Sequence, residues 1–230
     1  MKVLNTAETE ILLRRRDAIA ALGAGVGAAI LGEAAQGRPA SAETVGGEKT
    51  CILLPELTEG PYYLSTHPFR SDIREDRDGI TLKLRLKVRD VSTCAPIEGA
   101  TVEIWHADAD GNYSGVNGAT TTFLRGQQTS NDKGAVTFTT IYPGWYPGRT
   151  PHIHVKVHVG GSYVHTGQLF FDEDVTSYVY TQQPYATSGQ ADTANEEDDI
   201  YEQSAGQSLL RLRSRDGFYV GKLALGVQPV

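Results

Sequence analysis

An all-β fold, a two-sheet antiparallel β-sandwich with long irregular loops, is predicted by three observations. The run over residues 80–91, ITLKLRLKVRDV, alternates without a fault: Ile80, Leu82, Leu84, Leu86 and Val88 against Thr81, Lys83, Arg85, Lys87 and Arg89. That period of two marks a half-buried antiparallel strand. Further short strand-like runs follow, with turn residues between them, and strands at such spacing favour two packed sheets.

In chain order, residues 1–42 have the form of an export signal and are set apart from the fold. Arg14, Arg15 and Arg16 precede a weakly apolar, Ala- and Gly-rich run over 18–31, and Ala40-Ser41-Ala42 offers small side chains for cleavage before Glu43. The run is shorter than the ~20 apolar residues that span a bilayer. Consecutive arginines ahead of a mild hydrophobic stretch resemble a twin-arginine signal, the bacterial route for proteins that fold first. An ordinary secretory signal, an uncleaved anchor and a disordered Ala-rich start are the alternatives. Residues 43–230 are then one β-sandwich domain, placed in the bacterial periplasm or outside the cell, without stable membrane insertion once the signal is removed.

Within that domain, strands are predicted over 80–91, 100–105, 135–140, 152–159 and 164–171, with turns at Asn131-Asp132-Lys133-Gly134 and Gly160-Gly161. Residues 209–213 and 218–225, joined by Ser214-Arg215-Asp216-Gly217, predict a closing hairpin. The polar stretch 172–207 is expected to wrap the outside with at most one helix, near 194–203. Cys51 and Cys94 are the two cysteines. In an oxidising compartment such a pair commonly forms one disulfide, and two separate buried thiols are the alternative.

Composition bounds the function classes. With 230 residues, 40 % apolar and 21 % charged, the chain can bury one full core. Its formal net charge of −7 argues against nucleic acid or an anionic membrane surface as partner, because both call for clustered Lys and Arg.

The chemistry concentrates in residues 140–154, TIYPGWYPGRTPHIH. His152 and His154 stand two apart on a predicted strand, so both imidazoles leave the same face and can reach one ion. Tyr146 can fold back as a third ligand, because Pro147, Gly148 and Pro151 force turns between it and His152. Tyr113, in GNYS, lies where a loop begins after TVEIWHAD. Two imidazoles alone suit zinc, copper, iron or nickel. A phenol, which titrates near pH ~10, ligates well only when a strongly Lewis-acidic cation holds it as phenolate. Fe(III) is the common biological ion that does so. On the same face, His158 lies roughly 13 Å beyond His154 at ~3.3 Å per residue, so His158 and Lys156 are read as solvated or sheet-edge residues. His67, His106 and His165 are read as surface or hydrogen-bonded core histidines, with His106, beside Trp105, able to support the ligands.

Three segments in order, EGPYY at 59–63, VEIWHADADGNYS at 102–114 and IYPGWYPGRTPHIH at 141–154, resemble the intradiol ring-cleavage dioxygenases, relatives of protocatechuate 3,4-dioxygenase and catechol 1,2-dioxygenase, in a short exported form. The resemblance runs over residues 55–171. It implies one non-haem Fe(III) per chain held by Tyr113, Tyr146, His152 and His154, with Arg149 and Gln168 close to the substrate. Pro61 and Tyr62 line the pocket by family position, a purely structural turn being the alternative. The implied reaction is oxidative: both atoms of O2 enter a catechol-type diol, and the ring opens between the hydroxylated carbons to a cis,cis-muconate-type product. In that scheme Tyr146 leaves the metal as phenol with one diol proton, Arg149 stabilises carbanion and oxyanion character, and Gln168 assists as a donor. The stretch 43–58 leaves no room for the N-terminal helical region of catechol 1,2-dioxygenases. Export suggests oxidation or detoxification of extracellular catechols released from plant matter. Two other classes stand beside this one. The first is a secreted β-sandwich ligand-binding module without catalysis. The second is a hydrolytic zinc enzyme on His152 and His154, which lacks a carboxylate beside the pair.

Overall fold

The computed structural model describes residues 51–229; the proposed signal over 1–42 lies outside them. In chain order come β1 (Thr81–Asp90), β2 (Thr101–Trp105), β3 (Arg125–Thr129), β4 (Ala135–Ile141), β5 (His152–Val159) and β6 (Ser162–Phe170). They are followed by α1 (Glu173–Val179), α2 (Asp199–Gln203), β7 (Arg211–Arg215) and β8 (Phe218–Val227). Two four-stranded sheets result, ordered β4-β1-β8-β7 and β3-β2-β5-β6. Neighbours run antiparallel except β1 and β8, which are parallel.

The inner faces of the sheets make the core. Leu82, Leu84, Leu86 and Val88 of β1 share one buried cluster with Val102 and Ile104 of β2 and Ile153, Val155 and Val157 of β5. Each such side chain contributes about 1.5–3 kcal/mol when fully buried. Because the strand period is two, burying Ile153 and Val155 inward forces His152 and His154 outward. The outer face of β3-β2-β5-β6 is nevertheless not bare. Leu57 N–H donates to Thr166 C=O of β6 (3.0 Å), and Gln127 N–H of β3 donates to Pro68 C=O (2.9 Å). Residues 57–68 therefore cross that face from one edge of the sheet to the other.

The opposite outer face, on β4-β1-β8-β7, is basic. Lys83, Arg85, Lys87 and Arg89 of β1 alternate with its buried leucines and Val88. Arg211, Arg213 and Arg215 of β7 and Lys222 of β8 join them, and no Asp or Glu stands on that face of the four strands. The expectation that Lys and Arg do not cluster, drawn from net charge, is overturned. Net charge averages over the surface, whereas the alternation of β1 and β7 sorts the cations onto one side.

Other departures have local causes. β3 was not predicted, since RGQQT has no apolar alternation; it exists because β2 pairs with it from Thr101↔Thr129 to Trp105↔Arg125, a tertiary effect stronger than propensity. The stretch 172–207 holds two short helices, not one at most. Asp172 caps α1 through the N–H groups of Asp174 and Val175, and Asp198 caps α2 through those of Ile200 and Tyr201. In the hairpin, Arg215 pairs with Phe218, so the turn is Asp216-Gly217 alone, with Gly217 at φ +78.

Cys51 and Cys94 form a disulfide, with Cα atoms 5.5 Å apart across a sequence separation of 43. Chain entropy gives such a loop about 4 kcal/mol as an upper figure. Cys51→Ser/Cys94→Ser is expected to lower unfolding stability by about 2–4 kcal/mol, read from denaturant midpoints under oxidising conditions. An unchanged midpoint would show that the bridge does not stabilise the fold.

Candidate metal centre

β5 lies between β2 and β6, and its register sets the neighbours of the histidines: His154 is opposite Trp105 on one side and Gln168 on the other. The Trp105 indole stacks on His154, with centroids 4.9 Å apart and planes 3° apart. His152 Nδ1 lies 2.7 Å from Thr150 C=O. A carbonyl only accepts, so Nδ1 carries the proton and Nε2 keeps its lone pair. That Nε2 is 3.2 Å from His154 Nε2 and 3.1 Å from Tyr146 Oη.

Turn chemistry delivers Tyr146. Tyr146-Pro147-Gly148-Arg149 is a turn closed by Arg149 N–H to Tyr146 C=O (3.2 Å); Gly148 at φ +79 suits the third position of a type II turn, with Pro147 at the second. Tyr113 comes from the neighbouring loop, which Asp108 organises by accepting from the N–H groups of Asp110 (3.1 Å) and Asn112 (2.9 Å). The Tyr113 ring is 5.8 Å from that of Tyr146 and 6.0 Å from that of His154. Its hydroxyl is buried without a hydrogen-bond partner. Tyr62 stacks on Tyr113 at 4.4 Å and meets Tyr146 edge-on at 6.3 Å.

These donors fit a metal better than they fit one another. One lone pair on His152 Nε2 cannot serve both Tyr146 Oη and His154 Nε2, and Tyr113 Oη, although it feels the Tyr146 hydroxyl, meets no partner at hydrogen-bond geometry. Metal–ligand bonds of about 2.0–2.1 Å at angles of about 90–120° imply ligand-to-ligand edges of about 2.8–3.6 Å, and the two measured separations fall in that range. Burial, with Arg149 adding, lowers His152 to about 3. Burial, His152 and Arg149 push His154 well down too, so both rings are neutral and able to ligate. Burial raises Tyr113 well above the usual phenol range, the Tyr146 hydroxyl adding and Arg149 and Arg125 opposing. Tyr146 is raised by burial as well, against Arg149. Only a strongly Lewis-acidic cation would displace those phenol protons near neutrality. Among the described residues no three His, Cys, Asp or Glu group as a metal site, so the histidines need the phenols to complete a ligand set.

Arg149 is clamped beside this cluster. Its Nε donates to Asp198 Oδ2 (2.8 Å), one Nη to Gln168 Oε1 (2.5 Å) and the other reaches Tyr146 Oη at 3.5 Å. Gln168 Nε2 donates onward to Thr58 C=O (2.9 Å). Asp198 also accepts from Thr150 N–H (3.0 Å). Burial opposes its ionisation, but Arg149 and the N–H groups of Thr150 and Tyr201 outweigh that and hold the carboxyl below its ordinary range.

Tyr113, Tyr146, Arg149, His152, His154, Gln168 and Tyr62 thus come together, whereas Pro61 is exposed. Lys156 and His158, expected to be solvated or at an edge, are neither: β5 is an interior strand beneath the crossing segment. Lys156 Nζ donates to Glu59 (2.7 Å) and lies 4.0 Å over the Tyr63 ring, and His158 Nε2 is 3.3 Å from Glu103. His106 is buried against Thr140 Oγ1 (2.6 Å) and Ala107 C=O (2.8 Å). Trp105, Asp198 and Arg125 were not singled out from the sequence. Arg125 is buried and donates to Ser114 Oγ (2.9 Å) and C=O (2.7 Å), pinning the residue after Tyr113. Trp105 had a signal, the period-two face it shares with Glu103, but only the β2–β5 register sets it on His154.

Where the two tyrosine loops touch, Gly111 has φ +84, and a Cβ there would stand 2.3 Å from Trp145 C=O. Gly111→Ala is expected to cost about 2 kcal/mol or more and to reduce metal uptake by separating the loops. Gly118→Ala is the control, since φ is +82 but nothing lies within 4 Å; equal losses in both variants would sink the close-contact explanation.

A family model described as Dioxygenase matches residues 58–199. Chlorocatechol 1,2-dioxygenase of Rhodococcus opacus is 29 % identical over 141 residues, 52 % of this chain and 54 % of that protein. The chain spans about half the length of the curated relatives it matches. Among solved structures, an intradiol ring-cleavage dioxygenase from Tetranychus urticae overlays with a TM-score of 0.75 at 39 % identity, covering 78 % of this chain and 96 % of that one. The dioxygenase domain of a dioxygenase carbohydrate-binding protein fusion from Streptomyces sp. SirexAA-E gives 0.62 at 28 %, covering 78 % and 100 %. A match over more than half of the chain, and a two-sheet fold shared with a solved relative over nearly that relative's whole length, carry one conclusion: the chain belongs to the intradiol ring-cleavage dioxygenase family.

Proposed function

We propose that this chain opens catechol-type rings between the two hydroxylated carbons with O2, giving a cis,cis-muconate-type product, and that Tyr113, Tyr146, His152 and His154 hold one ferric ion for the purpose. The observation that carries this reading is the convergence of two neutral imidazoles with one buried and one half-buried phenol, the buried one without a partner at hydrogen-bond geometry. When bound, the ion supplies the Lewis acidity that makes phenols and diol anionic near neutrality and draws electron density from the ring.

The chain's own residues do the rest. Tyr146, on the Pro-Gly turn, takes up one diol proton at Oη as substrate enters, while Tyr113 and the histidines keep their places. A guanidinium is a planar, permanently cationic fork, and Asp198 and Gln168 fix that of Arg149, so it stabilises negative charge developing on ring carbon and oxygen. Tyr62 stacked on Tyr113 and Trp105 stacked on His154 wall the site with apolar surface and limit water. Catechol and its chlorinated forms are the first substrates to try, since the relatives are named for them.

Metal analysis, visible spectrum and O2 uptake on catechol, chlorocatechols and protocatechuate test the proposal. About one iron per chain, a burgundy tyrosinate band and a ring-opened diacid are expected. Colourless protein that takes up no O2 after ferric loading would reject it and favour a ligand-binding module. Arg14–Arg16 and the apolar run after them support a further part of the proposal: residues 1–42 direct export by the twin-arginine route, and residues 43–230 act in the periplasm or outside the cell. Recovery of the protein solely from washed cytosol would count against it.

A further inference from the structure

The registers of the basic sheet set like charges side by side. Arg85 of β1, Lys222 of β8 and Arg211 of β7 form one row across three strands, and Lys83 and Arg213 flank Val220 in the next. Directly opposed like charges destabilise a sheet. Among the described residues, no ion pair involves any of these five cations. Edge protection accounts for arginines on β7, whose outer side pairs with no strand among the described residues. It does not account for β1 and β8, which lie inside the sheet. Repulsion there has no ion-paired counter-charge among the described residues, and an anionic partner would relieve it.

We propose that this face docks the protein on an anionic lipid bilayer, with headgroup phosphates against the Arg and Lys rows. The charges spread in two dimensions, over about 10 Å by 20 Å at strand spacings of ~4.8 Å and rises of ~3.3 Å; a single polymer chain would follow one row. A four-stranded face is also too broad for a major groove about 12 Å wide. Its one aromatic ring, Phe218, is covered by Lys83 Nζ at 4.5 Å, which leaves no platform for stacking bases. The metal centre lies on the outer face of the other sheet, so docking leaves it open to solution. Contact is electrostatic and peripheral, at the headgroups.

Co-sedimentation with phosphatidylcholine vesicles, with and without phosphatidylglycerol, tests this on the full chain. Binding is expected only with phosphatidylglycerol and is expected to weaken steeply with salt. At about fivefold per cation, Arg85→Gln/Lys87→Gln/Lys222→Gln loses roughly a hundredfold in partitioning, while Arg85→Lys retains binding. Lys222→Gln alone, expected to lose about fivefold, serves should the triple variant fail to fold. Residues 1–50 are common to all these proteins, so the difference reads the face. Equal binding of parent and neutralised variants, indifference to phosphatidylglycerol, or tighter binding to polygalacturonate or duplex DNA would each overturn the proposal.

Discussion

Tyr113→Phe is expected to make the metal-free protein more stable and the iron-loaded protein nearly colourless and inactive. The Tyr113 hydroxyl is buried without a partner, a state that costs about 1–3 kcal/mol. Phenylalanine keeps the ring that stacks on Tyr62 at 4.4 Å and removes only the unsatisfied group. Metal-free stability should rise by about 1 kcal/mol. Iron retention should fall by more than the roughly 10–100-fold that outer partners of a metal site cost, because a ligand itself is lost. His154→Ala gives the contrasting signature. It also removes a ligand, but it empties space against Trp105, whose ring lies 4.9 Å away, so metal-free stability falls as cavities require. Denaturant midpoints of metal-free proteins, with iron content and visible absorbance after loading, read both effects. Unchanged iron and colour in Tyr113→Phe would remove Tyr113 from the ligand set, and a loss of metal-free stability would mean that its hydroxyl has a partner.

The site was partly legible from sequence and partly not. The i, i+2 histidines and the Tyr-Pro-Gly-Arg turn are local patterns, so their meeting could be read from one short segment. The alternation over 80–91 likewise gave β1 and one wall of the core. What a single segment cannot carry is register between strands. Trp105 on His154, Gln168 across from it and Arg125 on the unpredicted β3 depend on which strands pair and in what phase. Asp198 reads locally as the cap of α2, which it is, and nothing near it announces that its other oxygen holds Arg149. The basic face was hidden for the reverse reason: the alternation was plain, but overall charge is a sum that discards position.

Arg149→Met is expected to lower kcat by about 10²–10³, the usual cost of removing one preorganised charge-stabilising donor, and also to destabilise the fold. Asp198, with its side chain 1 % exposed, would then be a buried carboxylate without its cation, and breaking such a pair from one side costs about 3–5 kcal/mol. The pH dependence separates the two effects. In the parent, the carboxyl is held below its ordinary range, so its folded value lies below the unfolded one near ~3.9. The resulting stability is present above that unfolded value and is lost as pH falls through the folded one. In Arg149→Met only burial and the backbone donors remain. Where burial dominates, the folded value rises above the unfolded one, and stability is lost as pH rises through it. The gap between parent and variant should therefore be wide at neutral pH and narrow towards pH ~3–4. Adding Asp198→Leu to Arg149→Met should recover most of the stability, since an apolar pair can replace a buried ion pair at little cost, and none of the turnover. Recovered turnover in the double variant would reduce Arg149 to a structural partner of α2; a pH-independent gap would mean that Asp198 is not the group left unpaired.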